Sequence, residues 1–303
     1  MRYIALHLKA CLFNTTQPVI FNAMFNRRKF ITTSATGLAG VILLPAINSF
    51  ANDSNQYIRK AAKFKLRFAL ASDIHYGQQG TDFELNTGNM VKWLNDDHAK
   101  NHLDMVIING DLVHNRPDLL AEIKTKYLDK LNVPYQTIPG NHDFADAVVW
   151  KNVFNYEDRY TVEHGDIAFV LANTADTKGG YVCPDNSFIK ASLDKFADKK
   201  IVFVILHIPP VKWMKNEGFL NCPETVDLLH AYPNVKAVFH GHDHLLDGVR
   251  YTDKLPHFFD SHIGGDWGTD YRGYRVVEVN EQNEIYTYQV NASQNPRLNS
   301  NKF

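Results

Sequence analysis

Five short segments carry the residue types that hold metal ions and move protons. They are Asp73-Ile74-His75, Gly110-Asp111, Gly140-Asn141-His142-Asp143, His207-Ile208-Pro209-Pro210 and Gly241-His242-Asp243-His244. Their side chains are carboxylates, imidazoles and one amide, with no thiolate. That donor set suits borderline and hard divalent or trivalent cations such as Mn, Fe, Zn or Co. Taken singly, each segment has an ordinary explanation. An Asp after a strand commonly caps the next helix, Gly-Asp is a turn, His207 alone reads as a core histidine, and Asn141 and Asp143 are turn formers. His242 and His244 chelate one ion only if both rings reach the same place. Together, the segments follow one another along about 170 residues, each where an apolar run stops. Turn chemistry alone does not account for that.

The elements that must position them are legible as patterns. Phe64, Leu66, Phe68 and Leu70 alternate with Lys65, Arg67 and Ala69, the period-2 signature of a strand. Further strands are expected at Met105–Asn109, Pro134–Ile138, Ile167–Ala172, Ile201–Leu206 and Val235–Phe239. Val106-Ile107-Ile108 and Ile201–Leu206 are apolar without alternation, as strands covered on both faces should be. Helices are expected at Phe83–Lys100, Leu119–Lys130, Ala145–Phe154, Phe188–Ala197 and Pro223–His230. From Gly248 on, the chain turns strand-rich: Phe258–His262, Tyr274–Val279 and Ile285–Val290. Alternating strand and helix predicts an α/β layered fold in one catalytic domain. In such sheets the carboxyl ends of the strands face the crevice where ligands bind. Five motifs at strand ends would therefore meet at one rim.

The 303 residues are 45% hydrophobic and 21% charged, an ordinary globular composition. Charge is unevenly spread. Residues 1–51 hold five basic residues and no acidic one, leaving 27 basic against 33 acidic residues in the remainder. A chain that acidic is poorly suited to gripping phosphate backbones, so no stable nucleic-acid partner is expected. Arg27-Arg28, a mildly apolar run from Gly37 to Leu44, and Ser49-Phe50-Ala51 with small residues flanking Phe50 have the layout of a cleaved export signal over residues 1–51. The paired arginines point to the twin-arginine export machinery. The catalytic domain then occupies residues 52–303, is periplasmic or secreted, and keeps no membrane anchor. Met24 is an alternative start, which would leave residues 1–23 untranslated. Of three cysteines, Cys183 and Cys222 remain after cleavage. An oxidising compartment permits their pairing, and two solitary thiols are an equal reading.

The order of the five motifs resembles the calcineurin-like metallophosphoesterase superfamily, from Asp73 to Asp243-His244. The resemblance implies a four-layer α/β sandwich, two facing mixed β-sheets flanked by helices, and two metal ions (Mn, Fe, Zn or a mixed pair). One metal would be held by Asp73, His75, Asp111 and His244, and the second by Asp111, Asn141, His207 and His242, with Asp111 bridging. A shared carboxylate offsets the repulsion of two adjacent cations, which together lower the pKa of a water between them and supply hydroxide for in-line attack on phosphorus. Neutral Asn141 would leave the second metal less charge-compensated. His142 resembles the family's non-ligand histidine, in a general-acid role. Asp143 would orient its ring, or else cap the helix at Ala145.

The implied activity is hydrolysis of phosphodiester or phosphoanhydride bonds in a small molecule. A phosphomonoesterase, a nuclease and a non-catalytic periplasmic metal-binding protein are the alternatives. One departure stands out. Purple acid phosphatases of this superfamily carry a tyrosine three residues after the bridging Asp, and here that residue is His114. His114 and Asn115 line the cleft or are polar loop residues, and His240 reads as buried support. Ser261–Gly268 is either a loop that presents Trp267 to a base or sugar, or a hairpin connection. Trp213 and Lys215 fall near the expected mouth, with Lys212 and Lys215 read chiefly as solvated charges.

Overall fold

Strand β1 (Phe64–Ala71) sends Leu66, Phe68 and Leu70 to one side and Ala69 and Ala71 to the other, and each set enters a different core. The same division holds in β2 (Met105–Asn109), β5 (Ile167–Ala172) and β6 (Ile201–Leu206). A side-chain period of two makes one strand serve two layers at once. The computed structural model describes residues 64–293 and 297–303. The expected export signal and the boundary at residue 52 lie outside the described residues.

Two six-stranded mixed sheets result. The first has the order β12 (Arg297–Lys302), β11 (Ile285–Asn291), β10 (Gly273–Asn280), β1, β2, β3 (Tyr135–Ile138). The second has the order β4 (Tyr160–His164), β5, β6, β7 (Val235–His240), β9 (Leu255–Phe259), β8 (Val249–Thr252). The inner faces meet in an apolar layer built around Phe68, Phe169, Phe203, Phe239 and Phe258. Phe68 and Phe169 pack edge to face at 5.0 Å. Removing one such buried ring typically costs about 3–5 kcal/mol. Helices α1 (Phe83–Asn101), α2 (Leu120–Lys126) and α3 (Ala147–Phe154) cover the first sheet, while α4 (Asn186–Lys195) and α5 (Pro223–His230) cover the second. This is the expected four-layer sandwich.

β1, β2 and β3 pair in parallel, as do β6 and β7. Three of the five motifs therefore leave the carboxyl edge of one sheet, and two leave that of the other.

Several boundaries differ from expectation. The helix expected at Leu119–Lys130 breaks at Tyr127 (φ −129°) and ends as a 3₁₀ turn at Leu128–Lys130. α3 begins at Ala147, not Ala145, because the Asp146 carboxylate accepts from Val149 N at 2.7 Å. α4 starts two residues early on the Asp185 cap. Ser261–Gly268 does not belong to a hairpin. β9 lies in the second sheet and β10 in the first, so this segment crosses between sheets at the rim where the motifs converge.

Candidate metal centre

The motif turns are conformationally costly. Asp73, His75, Asp111 and His242 adopt φ of 55°, 48°, 52° and 68°. Non-glycine residues seldom occupy that left-handed region, and such strain clusters at functional sites. The turns are braced by one another: Asp73 N donates to Gly110 O at 3.1 Å and His75 N to Asp111 O at 3.0 Å. Gly140 has to be glycine, because a Cβ there would collide with Asp111 and with His207 Nε2.

Among the described residues, three groups bring their ligand atoms within 4.8 Å of one another: an all-histidine set of His75, His114 and His142, and two triads that each include a carboxylate. The first triad is Asp73, His75 and His244, all buried, and the second is Asp111, His207 and half-buried His242. Asp111 Oδ2 lies 3.2 Å from His207 Nε2 and 3.7 Å from His75 Nε2, between the two triads. Asn141 is buried and follows Gly140, which packs against Asp111 and His207. Its neighbour His142 donates its backbone N–H to Asp111 Oδ1 at 2.7 Å.

Each imidazole is aimed by a backbone carbonyl or a neighbouring ring. His244 Nδ1 donates to Trp267 O at 3.1 Å, His207 Nδ1 to Asn109 O at 2.6 Å and His242 Nε2 to Gly218 O at 3.0 Å. A carbonyl only accepts, so the opposite nitrogen of each ring is left to ligate. His75 Nδ1 is 2.9 Å from His114 Nδ1.

The donor atoms fit cations. His75 Nε2 and His244 Nε2 face each other at 3.0 Å, and Asp73 Oδ1 lies 3.2 Å from the latter. Asn141 Oδ1 is buried with no hydrogen-bond partner among the described residues, and His207 Nε2 has the Asp111 carboxylate at 3.2 Å. A buried polar atom such as Asn141 Oδ1 costs free energy unless something polar reaches it.

The ionisation states follow from burial and mutual attraction. Burial opposes the charge on Asp73, but His244 outweighs it and holds the carboxyl down to about 2. Burial likewise works against the Asp111 carboxylate, and His207 keeps it below the ordinary range. Burial pushes His75 down to about 3 and His242 down to about 4. His207 goes the other way: burial disfavours its charge, yet Asp111 raises it to about 10. Asp73 also raises His244 despite burial.

One expected role does not match the geometry. Asp143 does not reach the His142 ring. Its Oδ1 accepts from Val113 N at 2.9 Å and its Oδ2 from Gly140 N at 2.7 Å, so it ties two motif turns together. It does not cap α3 either. Burial, then the charge of Asp111, pushes its carboxyl up to about 8. Adjacent side chains in a tight turn diverge, and the one that faces His142 belongs to another loop: Asn115 Oδ1 accepts from His142 Nδ1 at 2.8 Å. His114 stacks on His142 at 4.7 Å and 11°. From the sequence, His114 and Asn115 either line the cleft or are polar loop residues, and Asn115 has no assigned partner.

The other neighbours sort cleanly. His240 is fully buried, donating from Nδ1 to Leu206 O and bonding through Nε2 to His257. Trp213 donates Nε1–H to Tyr251 O at 2.8 Å and packs against Phe219 and Phe259. It is part of the wall. Cys183 and Cys222 form a disulfide, resolving the pairing that the sequence left open.

The calcineurin-like phosphoesterase family model matches residues 66–246, which contain all five motifs. A probable cyclic nucleotide phosphodiesterase of Pseudoalteromonas sp. is 28% identical over 202 residues, covering 63% of this chain and 75% of that protein. A 3′,5′-cyclic-nucleotide phosphodiesterase of Nostoc sp. is 28% identical over 149 residues, 47% of this chain and 56% of that protein. This chain thus spans little over half of the Nostoc relative's length. Among solved structures, a dimetal phosphatase from Danio rerio superposes with a TM-score of 0.63 at 13% identity, covering 79% of this chain and 99% of that one. It shares the fold. On the motifs, the two facing sheets and the family match together, the chain belongs to the calcineurin-like phosphoesterase family.

Proposed function

We propose that this phosphoester hydrolase cleaves phosphodiester bonds of small molecules, with 3′,5′-cyclic nucleotides the leading substrate class. The observation that carries the preference is the charge around the centre. Among the described residues, the ion pairs of Asp73, Asp111, His75, His207 and His244 are all with one another, and none involves lysine or arginine. A phosphodiester brings one negative charge and a phosphomonoester up to two, so a centre whose ligand side chains pair with no lysine or arginine suits the diester better. The names of the Pseudoalteromonas and Nostoc relatives support the same class.

Asp73, His75, Asp111 and His244 would hold one cation, and Asp111, Asn141, His207 and His242 the other. Two bound cations supply Lewis acidity there, acidifying water and neutralising charge on phosphoryl oxygens. The chain's own residues do the rest. Asp111 sets the spacing, its Oδ2 facing both triads. His142 commits Nδ1–H to Asn115 and so keeps Nε2 free to hold the proton that the departing alkoxide takes. His114, stacked flat on His142, fixes the plane of that ring. Asp143 keeps the Gly140 and Val113 turns in register, a positioning role.

The same proposal extends to place. The twin-arginine layout of residues 1–51 and the Cys183–Cys222 disulfide support an exported, periplasmic or secreted enzyme. Joint Arg27→Lys and Arg28→Lys substitution should leave the precursor in the cytoplasm, and undiminished export of that variant refutes the route.

The activity is tested with the chain from Asn52, stripped and reloaded with Mn. Hydrolysis of bis-p-nitrophenyl phosphate and of p-nitrophenyl phosphate is compared, with Asp111→Ala as the blank. The diester should be preferred about tenfold or more, which is about 1.4 kcal/mol of discrimination. A preference for the monoester overturns the diesterase reading, and no turnover above the blank overturns catalysis itself.

A further inference from the structure

Three rings lie parallel at the rim. His262 stacks on His244 at 4.9 Å and 10°, and Trp267 stacks on His244 at 4.3 Å and 3°. His262 and His244 are buried, whereas Trp267 keeps 42% of its surface exposed. The indole Nε1–H has no partner among the described residues. Exposing a tryptophan face forgoes the apolar burial that normally holds such a ring.

The loop that carries it is braced. His244 Nδ1 holds Trp267 O, Thr269 N donates to His244 O at 2.9 Å, and Gln78 Nε2 donates to Asp266 Oδ1 at 2.9 Å. Arg272 donates to the carbonyls of Ile263, Gly264 and Gly265. At Gly264 a Cβ would strike Ile74 O, so the crossover packs directly on the first motif. The exposed indole is therefore pre-organised on a fixed backbone, one ring beyond a metal-ligand candidate. Trp267 also lies 5.2 Å from His75, on the flank where His142 and His114 stand.

We propose that Trp267 is a stacking platform for the planar base of a nucleotide substrate, which would extend the His262–His244–Trp267 stack by a fourth ring. This inference rests on the diesterase reading for its substrate and sharpens it: the site selects diesters that carry a flat aromatic base over those with aliphatic substituents. Base–aromatic stacking tolerates any base, so the platform sets the class of substrate and not the identity of the base.

The test uses two ligands that share phosphate and sugar and differ only in the base: adenosine 5′-monophosphate and ribose 5-phosphate. Binding of each to the metal-loaded protein is measured by calorimetry for wild type, Trp267→Ala and Trp267→Phe, with metal content checked for all three. Wild type should bind the nucleotide about ten- to a hundredfold more tightly. Trp267→Ala should erase that ratio, and Trp267→Phe should keep part of it through a smaller flat ring. Equal binding of the two ligands by wild type, or a ratio that survives in Trp267→Ala, overturns the platform. In parallel, kcat/KM for cyclic AMP relative to glycerophosphoethanolamine should fall by a similar factor in Trp267→Ala. A purely structural role would lower both alike. If wild type shows the nucleotide preference but hydrolyses neither diester, the diesterase reading fails and the platform stands.

Discussion

The Asp73–His75–His244 triad and the Asp111–His207–His242 triad share a composition, one carboxylate and two imidazoles, and differ in what backs them. The first is wholly buried. Its outer wall is the 261–268 crossover, fixed to Ser72 O and Asp73 O by the N–H groups of Ile263 and Gly264. The second opens to solvent at His242, whose ring is aimed by Gly218 O. That carbonyl sits in a loop held by Leu220 N to Pro209 O, Cys222 N to Pro210 O and the Cys183–Cys222 disulfide. Tyr181, two residues before Cys183, packs edge-on to His242 at 4.9 Å. A fold can thus build two similar ligand sets with unequal hold. The first derives its rigidity from burial. The second depends on a covalent staple and, on the proposed assignment, would take neutral Asn141 as an extra donor, so it should be the first to lose its ion.

The largest expected effect tests the link between them. Asp111→Ala should empty both triads and lower kcat/KM by about a thousandfold or more, because several kcal/mol of charge stabilisation go at once. His242→Ala should instead retain one equivalent of metal and lose about a hundredfold. Metal content by inductively coupled plasma measurement separates the two. If His242→Ala loses both ions, the triads do not hold metal independently.

A smaller effect concerns the proposed proton transfer by His142, whose ring packs against His75 of the first triad. His142→Ala should reduce hydrolysis of alkyl diesters about a hundredfold while affecting p-nitrophenolate release much less, since a good leaving group needs little help. Asn115→Ala should show the same leaving-group dependence at about tenfold. Equal losses on both substrate types remove the acid role from His142.

The smallest effect sharpens the contrast in backing. Replacing both Cys183 and Cys222 with Ser should cost about 2–4 kcal/mol in denaturant unfolding. It should also weaken only the second metal, by about tenfold, as expected when a group that orients a ligand is released. Equal weakening of both metals would show that the staple serves the fold and not the second triad.

Much of this molecule is legible locally. Alternation in Phe64–Leu70 and the unbroken apolar run of Ile201–Leu206 specify strands, because a side-chain period of two is a property of the chain itself. The motif residues are legible because strand, turn and ligand are neighbours in sequence. The strands β4, β8 and β12 were missed, as Tyr160–His164 and Val249–Thr252 are short edge strands with partly exposed side chains and Arg297–Lys302 is polar. Partners distant in sequence were equally hidden. That Asn115 and not Asp143 faces His142 depends on how two loops from adjacent strands turn. The pairing of Cys183 with Cys222, 39 residues apart, depends on where two loops of the second sheet come to rest.

By itself, then, the sequence determined the interior strands, the turns at their ends and the donor types, all of which arise from neighbours a few residues apart. Only tertiary structure decided which sheet each strand joined, which ring stacked on which, and that Ser261–Gly268 crosses between sheets to put Trp267 over His244. Those outcomes follow from how two twisted sheets pack face to face, a long-range constraint that no short segment carries.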